Sequence, residues 1–266
     1  MIKLIVSDLD GTLLDENIKV RERDIKSIHK AQEMGINFCL ATGRKDLDII
    51  EVSKMIDRTF HRISQNGAFI VLDDQTDFHS TFFESSIAQK IYSHVVDKEV
   101  LTLVSTRDTE IIDRNNEIVE RIQKVLFSPL IINPNLYNDI GVTIHPSKII
   151  VTGKDEVIEE LQTELLQAYP NEIDAFISAK YTLDIMPKNI SKGNAVKKLA
   201  ERIGISLEEI ACIGDSFNDV SMLQVAKYGF AMSKAKQGVK ECADYVVESV
   251  GEAIEIILEI NSSETT

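Results

Sequence analysis

No apolar run in this chain approaches the length a helix needs to cross a bilayer, which argues against a membrane-spanning helix. Basic residues are in deficit, 29 Lys and Arg against 43 Asp and Glu, for a formal net charge of −14. General binders of nucleic acid or anionic membranes need basic surface, so neither is an expected partner. Cysteine is scarce: Cys39 and Cys212 lie in apolar runs and Cys242 precedes another. An odd count without CxxC spacing points to buried thiols rather than a disulfide framework or a zinc site. The five histidines lack metal-ligand spacing, and no internal repeat or low-complexity linker is visible. The first six residues have no basic leader or small-residue cleavage site, so they read as a buried strand, with a cytoplasmic location as the default expectation.

What is present suits a folded enzyme. The 266 residues, 44% hydrophobic and 27% charged, suffice for a core with a second, smaller domain. Strand-like runs at 2–6 and 36–41 flank a helical pattern at 21–34, and Leu47, Ile50 and Met55 suggest another helix. That βαβ order implies a parallel sheet. Asn66-Gly67 between apolar segments predicts a tight hairpin. From 82 the pattern changes. A helix is expected there, with Ser86 and Gln89 spaced as a capping box and Ile87, Ile91 and Val95 on one face. Strands follow at 100–105 and 110–113, then a less regular stretch holding Pro129, Pro134 and Pro146. A strand at 148–152, an amphipathic helix at 155–168 and strands at 175–178 and 182–186 complete an α+β module. The leucines 161, 165 and 166 read as its core. Alternation resumes with a helix at 191–203 closed by Gly204, strands at 209–213, 228–232 and 245–247, helices near 220–225 and 252–260, and a polar tail from 261. The expected fold is α/β, a Rossmann-like parallel-sheet core (1–81 plus 187–266) interrupted by an inserted α+β cap (82–186).

Open parallel sheets bind ligands at the carboxyl ends of their strands. There the sequence places Asp8 and Asp10, then Thr42-Gly43-Arg44, then the run from Gly214 to Asp219. Ser191-Lys192-Gly193 opens a helix. Each has an ordinary reading. Asp10-Gly11-Thr12 could be a turn, Thr42-Gly43 a helix cap, and the acidic run a capped loop. Crowded carboxylates are unfavourable without a shared cation, however, and a lysine in a first helical turn opposes the helix dipole unless an anion lies near. A divalent cation and a phosphate would resolve both oddities together. Net acidity is no obstacle, because a metal and a lysine can make a local pocket positive. Arg44 could face substrate or pair with a nearby carboxylate, and His29 reads as a boundary residue.

Asp8-Leu9-Asp10-Gly11-Thr12, Thr42, Lys192 and Gly214-Asp215-Ser216-Phe217-Asn218-Asp219 resemble, in order, the four motifs of the haloacid dehalogenase-like superfamily. Ala41-Thr42-Gly43-Arg44, Asn66-Gly67 and Ser191-Lys192-Gly193 resemble its Cof-type, sugar-phosphatase branch. The resemblance implies a magnesium-dependent phosphatase of small phosphorylated metabolites, sugar phosphates first among them. It makes Asp8 the nucleophile and Asp10 the general acid and base. Asp8, Asp215 and the Asp10 backbone carbonyl would hold Mg2+, with Asp219 as a brace. Thr42, Gly43, Lys192 and Asn218 would hold the phosphate, while the cap would close over the substrate. A phosphoryl transferase or sugar phosphomutase, or a non-catalytic phosphometabolite sensor, are the alternatives. Two positions depart from the family pattern: Asn189 stands where glycine is common, and Met232-Ser233-Lys234-Ala235 where many relatives read Met-Gly-Asn-Ala. Lys234 is thereby expected near the site entrance.

Overall fold

The computed structural model describes residues 1–115, 117–123, 130–179 and 181–263. The chain divides into two compact units. One comprises Met1–Arg44, Ile49–His79 and the chain from Ser191 onward; the other comprises Lys45–Asp48 and Ser80–Ile190.

The first unit is built on β1 (Leu4–Ser7), whose four residues are all buried. It lies between β2 (Asn37–Ala41) and β12 (Ile210–Gly214), parallel to both, with Leu4 opposite Asn37 and Ile210. The sheet continues through β13 (Tyr228–Met232) and β14 (Tyr245–Val247) on one side. On the other side come β3 (His61–Ser64), β4 (Phe69–Val71) and β5 (Asp77–Ser80). Both faces are covered, which explains near-continuous apolar strands rather than alternating ones. Leu4, Val6, Cys39 and Cys212 pack against α7 (Lys192–Ile203) and α8 (Val220–Val225). Ile5, Phe38, Leu40 and Ile213 pack against α1 (Glu22–Glu33), α2 (Asp46–Ile56) and α10 (Val250–Ser263). The start and stop of α7 follow from its sequence. The Ser191 side chain accepts the Asn194 N–H, and Gly204 takes a φ of 71° to end the helix.

The second unit carries a six-stranded sheet in the order β10 (Ile173–Ala179), β11 (Thr182–Pro187), β9 (Lys148–Thr152), β6 (Leu101–Ser105), β7 (Glu110–Ile112), β8 (Leu130–Ile132). Its pairings are antiparallel except β7–β8. Ile149, Val151, Leu183 and Ile185 pack with α3 (Ser85–Val96) and α6 (Asp155–Ala168), where Leu161 and Leu165 are buried and Leu166 partly so. The opposite face holds Leu103 and Ile112 with Val119 of α4 (Glu117–Gln123). Two further short helices are α5 (Leu136–Asp139) and α9 (Gln237–Lys240). No helix among the described residues is long and apolar enough to cross a membrane.

Several local expectations need correction. In α2 the buried face is Ile49, Val52 and Ile56, whereas Leu47 and Met55 are exposed. The capping box at Ser86 and Gln89 does not form. The N-cap of α3 is Glu84, without a side-chain bond, and Gln89 Nε2 donates to the Ile140 carbonyl instead. The hairpin between β3 and β4 exists, but Ser64 pairs with Phe69, so its loop is wider than two residues and contains a 3-10 turn, Gln65–Gly67. Gly67 has a φ of 109°, and a Cβ there would stand 2.6 Å from the Ser191 carbonyl oxygen. Glycine thus permits this loop to approach the start of α7. Of the thiols, Cys39 and Cys212 are buried, but Cys242 is only half-buried. The irregular stretch becomes α4, β8 and α5, and Pro129 lies outside the described residues. Asn189 adopts a φ of 64°, which asparagine tolerates.

The tail expectation fails at its first residue. Asn261 is buried within α10, where its Oδ1 accepts the Ile2 N–H at 2.6 Å and its Nδ2 donates to the Ile2 carbonyl at 2.9 Å. This pair ties the last helix to the start of the first strand. Asn261→Leu leaves both Ile2 backbone groups without these partners, so urea unfolding should show a loss of about 1–3 kcal/mol. An unchanged midpoint would mean that the pin contributes nothing to stability.

Candidate active site

Because β1, β2 and β12 are parallel, the residues that follow them gather at one sheet edge. Asp8 leaves β1 with its N–H still bonded to the Ile213 carbonyl at 2.9 Å. Thr42 leaves β2 with its N–H on the Ile63 carbonyl, also at 2.9 Å. Asp215 leaves β12, and Gly11 allows the two acidic turns to come together. Its φ is 81°, and a Cβ there would sit 2.5 Å from Asp215 Oδ2.

Lys192 is the centre of this arrangement. The first residue of α7, it is fully buried, and its Nζ donates to Asp8 Oδ1 at 2.5 Å and to Asp219 Oδ1 at 2.6 Å. The anions that a lysine in a first helical turn requires are therefore two protein carboxylates. Asp219 is itself fixed. Its Oδ2 accepts the backbone N–H groups of Asp215 and Ser216 at 3.0 and 2.9 Å.

One ammonium faces more negative charge than it can balance. Burial pushes the Asp8 carboxyl well above the usual carboxylate range, and Asp219 pushes it further, with Lys192 opposing both. Asp215 is pushed up to about 6, by burial first and then by Asp219. Burial works against the Lys192 ammonium, but Asp219 and Asp8 outweigh it and hold its pKa above the ordinary lysine range. Oxygen atoms of Asp8, Asp215 and Asp219 lie within 4.8 Å of one another, a spacing that a hard divalent cation could bridge. Asp219 already uses both oxygens on Lys192 and the loop amides. Asp8 and Asp215 are thus the better-suited cation ligands, and the unresolved repulsion between them is what a cation would relieve.

The remaining sequence-derived residues lie at the same edge in different settings. Thr42 is buried, and its Oγ1 accepts the Arg44 N–H at 3.1 Å; Gly43 lies half-buried between them. Asn218 Nδ2 donates to Asn66 Oδ1 at 3.0 Å, while its own Oδ1 is buried and finds no partner among the described residues. Asp10 is held by Arg44, which binds both of its carboxylate oxygens. Lys234 pairs loosely with Glu16 at 3.7 Å in a highly exposed position.

Three contacts escape a reading of the sequence alone. Asn66, expected as a turn residue and as part of the Cof-type resemblance but with no role at the site, reaches Asn218 and ties its N–H to the Thr42 carbonyl at 2.9 Å. Thr12 Oγ1 donates to Asp215 Oδ1 at 3.3 Å. The third is the identity of Asp10 as the partner of Arg44, for which the sequence left a nearby carboxylate or the substrate open. For Asn66 the available signals were the Asn-Gly turn pair and its place in the Cof-type resemblance, and neither spoke of its partners.

Comparison with known proteins matches residues 5–254 to the family model of haloacid dehalogenase-like hydrolases. The chain is 28% identical to phosphatase YwpJ of Bacillus subtilis, over 92% of this chain and 94% of that protein. It is 26% identical to 5-amino-6-(5-phospho-D-ribitylamino)uracil phosphatase YcsE of the same organism, over 93% and 90%. Among solved structures, TM0651 from Thermotoga maritima superposes with a TM-score of 0.82 at 28% identity, covering 96% of this chain and 97% of that one.

The raised pKa of Asp215 has a measurable sign. Without a cation, native Asp215 keeps its proton to a higher pH than the unfolded chain does, so stability from this group is lost as pH rises towards and through about 6. Lys192 stays charged throughout that window and adds no slope. Calorimetry in EDTA should therefore show Tm falling between pH 5 and 7 through this group. Added magnesium should raise Tm more at pH 7 than at pH 5, since it must displace the proton at the lower pH. An equal magnesium effect at both values would remove Asp215 from the cation site.

Proposed function

We propose, from the premise that this chain belongs to the haloacid dehalogenase-like hydrolase family and is a phosphatase of its Cof-type branch, that it hydrolyses small phosphorylated metabolites through an aspartyl-phosphate. The observation that carries this reading is the buried Asp8–Lys192–Asp219 cluster at the sheet edge, with Asp215 beside it. Structural support alone does not need three carboxylates around one ammonium; a site for phosphoryl transfer does.

The chemistry follows from the charges. Asp8 attacks phosphorus in line, and its carboxylate is aimed by the Lys192 ammonium. A carboxylate approaching a phosphate dianion is repelled, and Lys192 offsets part of that repulsion at the attacking oxygen itself. Magnesium, held by Asp8, Asp215 and the Asp10 backbone carbonyl, would supply the remaining positive charge at the phosphoryl oxygens. Thr42 and Gly43 face the phosphate from the end of β2. Asn218 supports it from the β12 loop, where an amide with one buried end unpaired is suited to a ligand contact. Asp219 does not touch substrate in this scheme. It holds Lys192 and the Asp215 amide in place.

Asp10 gives a proton to the leaving oxygen in the first half-reaction and takes one from water in the second. Such transition states need placement and electrostatics more than covalent help from the protein, and a rigid parallel-sheet edge provides that. Sugar phosphates and sugar-alcohol phosphates are the favoured substrates. The name of the YcsE relative, with its phosphoribityl chain, supports a polyol phosphate as the class.

The test is phosphate release from a panel of phosphorylated metabolites, with magnesium or with EDTA, by the wild type and Asp8→Asn. Release that requires magnesium and falls to background in the isosteric variant is expected. Turnover retained by Asp8→Asn would remove it as nucleophile. Phosphate appearing only on an added sugar-phosphate acceptor would make the protein a transferase.

A further inference from the structure

We infer that Arg44 is the positioning residue for Asp10, setting where that carboxyl points during both half-reactions; the inference rests on the phosphatase reading above. Arg44 Nε donates to Asp10 Oδ2 at 2.7 Å and Nη2 to Oδ1 at 2.6 Å, a two-point grip. A fork of this kind fixes direction as well as distance, which a single ammonium cannot do.

The two partners differ in how firmly they are held. The Arg44 side chain is 19% exposed, that of Asp10 53%. The Arg44 backbone is anchored on both sides of its Cα. Its N–H lies on Thr42 Oγ1 at 3.1 Å, and its carbonyl accepts the Gln65 N–H at 2.8 Å. Asp10 precedes Gly11, whose φ is 81°, and among the described residues no other side chain bonds its carboxylate. Asp8 and Asp219 take their orientation from Lys192. Asp10 takes its own from Arg44. Most exposed ion pairs contribute little to stability, but a paired fork from a mostly buried arginine is suited to defining a rotamer.

Proton bookkeeping shows where this acts. As the Asp8 oxygen–phosphorus bond forms and the leaving oxygen–phosphorus bond breaks, the proton on Asp10 passes to the leaving oxygen. Asp10 is then a carboxylate, with two equivalent oxygens for the two donors of the Arg44 fork. It next takes a proton from water as the water oxygen–phosphorus bond forms and the Asp8 oxygen–phosphorus bond breaks, which restores the protonated acid. In that state one oxygen carries the proton and the other keeps its bond to Arg44.

The experiment compares wild type, Arg44→Ala, Arg44→Lys, Asp10→Asn and the double variant Arg44→Ala/Asp10→Asn on two esters. One is the best sugar phosphate of the panel; the other is p-nitrophenyl phosphate, whose leaving group departs without a proton. For Arg44→Ala, kcat on the sugar phosphate should fall about 100-fold, the lower range of general acid–base effects, with KM little changed. The rapid p-nitrophenolate burst should survive while the slower turnover after it, which needs Asp10 as base, declines. Arg44→Lys should recover part of the loss. In the Asp10→Asn background, Arg44→Ala should cost nothing more, because the two act as one unit. A rise in KM with kcat intact would make Arg44 a substrate contact and overturn the inference. So would additive losses in the double variant, or a sugar-phosphate kcat that holds or rises in Arg44→Ala. A wild type that releases phosphate from neither ester would sink the phosphatase reading itself, and the role of Arg44 with it.

Discussion

Everything at the sheet edge depends on one buried ammonium between two carboxylates. Lys192 joins Asp8, from the first strand, to Asp219, at the start of α8, and Asp219 in turn holds the amides of Asp215 and Ser216. A charged group in that position is costly to bury, and it is retained because each partner would be costlier without it. Removing Lys192 would leave two buried carboxylates repelling each other and a third nearby. The same excess of negative charge is what a bound divalent cation would relieve.

That clamp stands on a sheet whose architecture leaves little choice of position. The strands β1, β2 and β12 are parallel and buried on both faces, so polar side chains can leave the apolar layers together only at the strand ends, and the candidate site forms at the carboxyl ends. The helix α7 delivers Lys192 because Ser191 caps it there, and Gly67 lets the β3–β4 loop approach that start. Glycines at Gly11 and Gly67 thus serve the chemistry by withdrawing bulk, whereas the charged residues serve it by being present.

Most of the fold was legible because its signals are local. Buried parallel strands read as apolar runs, α6 read from its periodicity, and α7 from its pattern closed by Gly204. The positions that failed were those decided by neighbours distant in sequence. The helix α2 formed, but Ile49, Val52 and Ile56 rather than Leu47, Ile50 and Met55 meet the core formed by Phe38 and Leu40. Gln89 found the Ile140 carbonyl instead of a capping partner, and Asn261 found the backbone of Ile2 instead of solvent. In the site, the motif residues themselves stood out by type and order. Their pairings mostly did not: a carboxylate partner for Arg44 was foreseen without its identity, Asp10, and Asn218 with Asn66 and Thr12 with Asp215 are set by which strands are neighbours. No spacing within a single segment encodes that.

The sheet order also bears on how the chain acquires its structure. The bond from Lys192 to Asp8 spans 184 residues, and β12, the second neighbour of β1, comes later still. Closing so long a loop costs conformational entropy before any contact repays it. The strand that carries Asp8 is therefore synthesised early and completed late, after the second unit has been made in full. Until then its apolar edge lacks a partner, an aggregation hazard of the kind that chaperones attend to. In the order of assembly, the residues that would do the chemistry are among the last to meet.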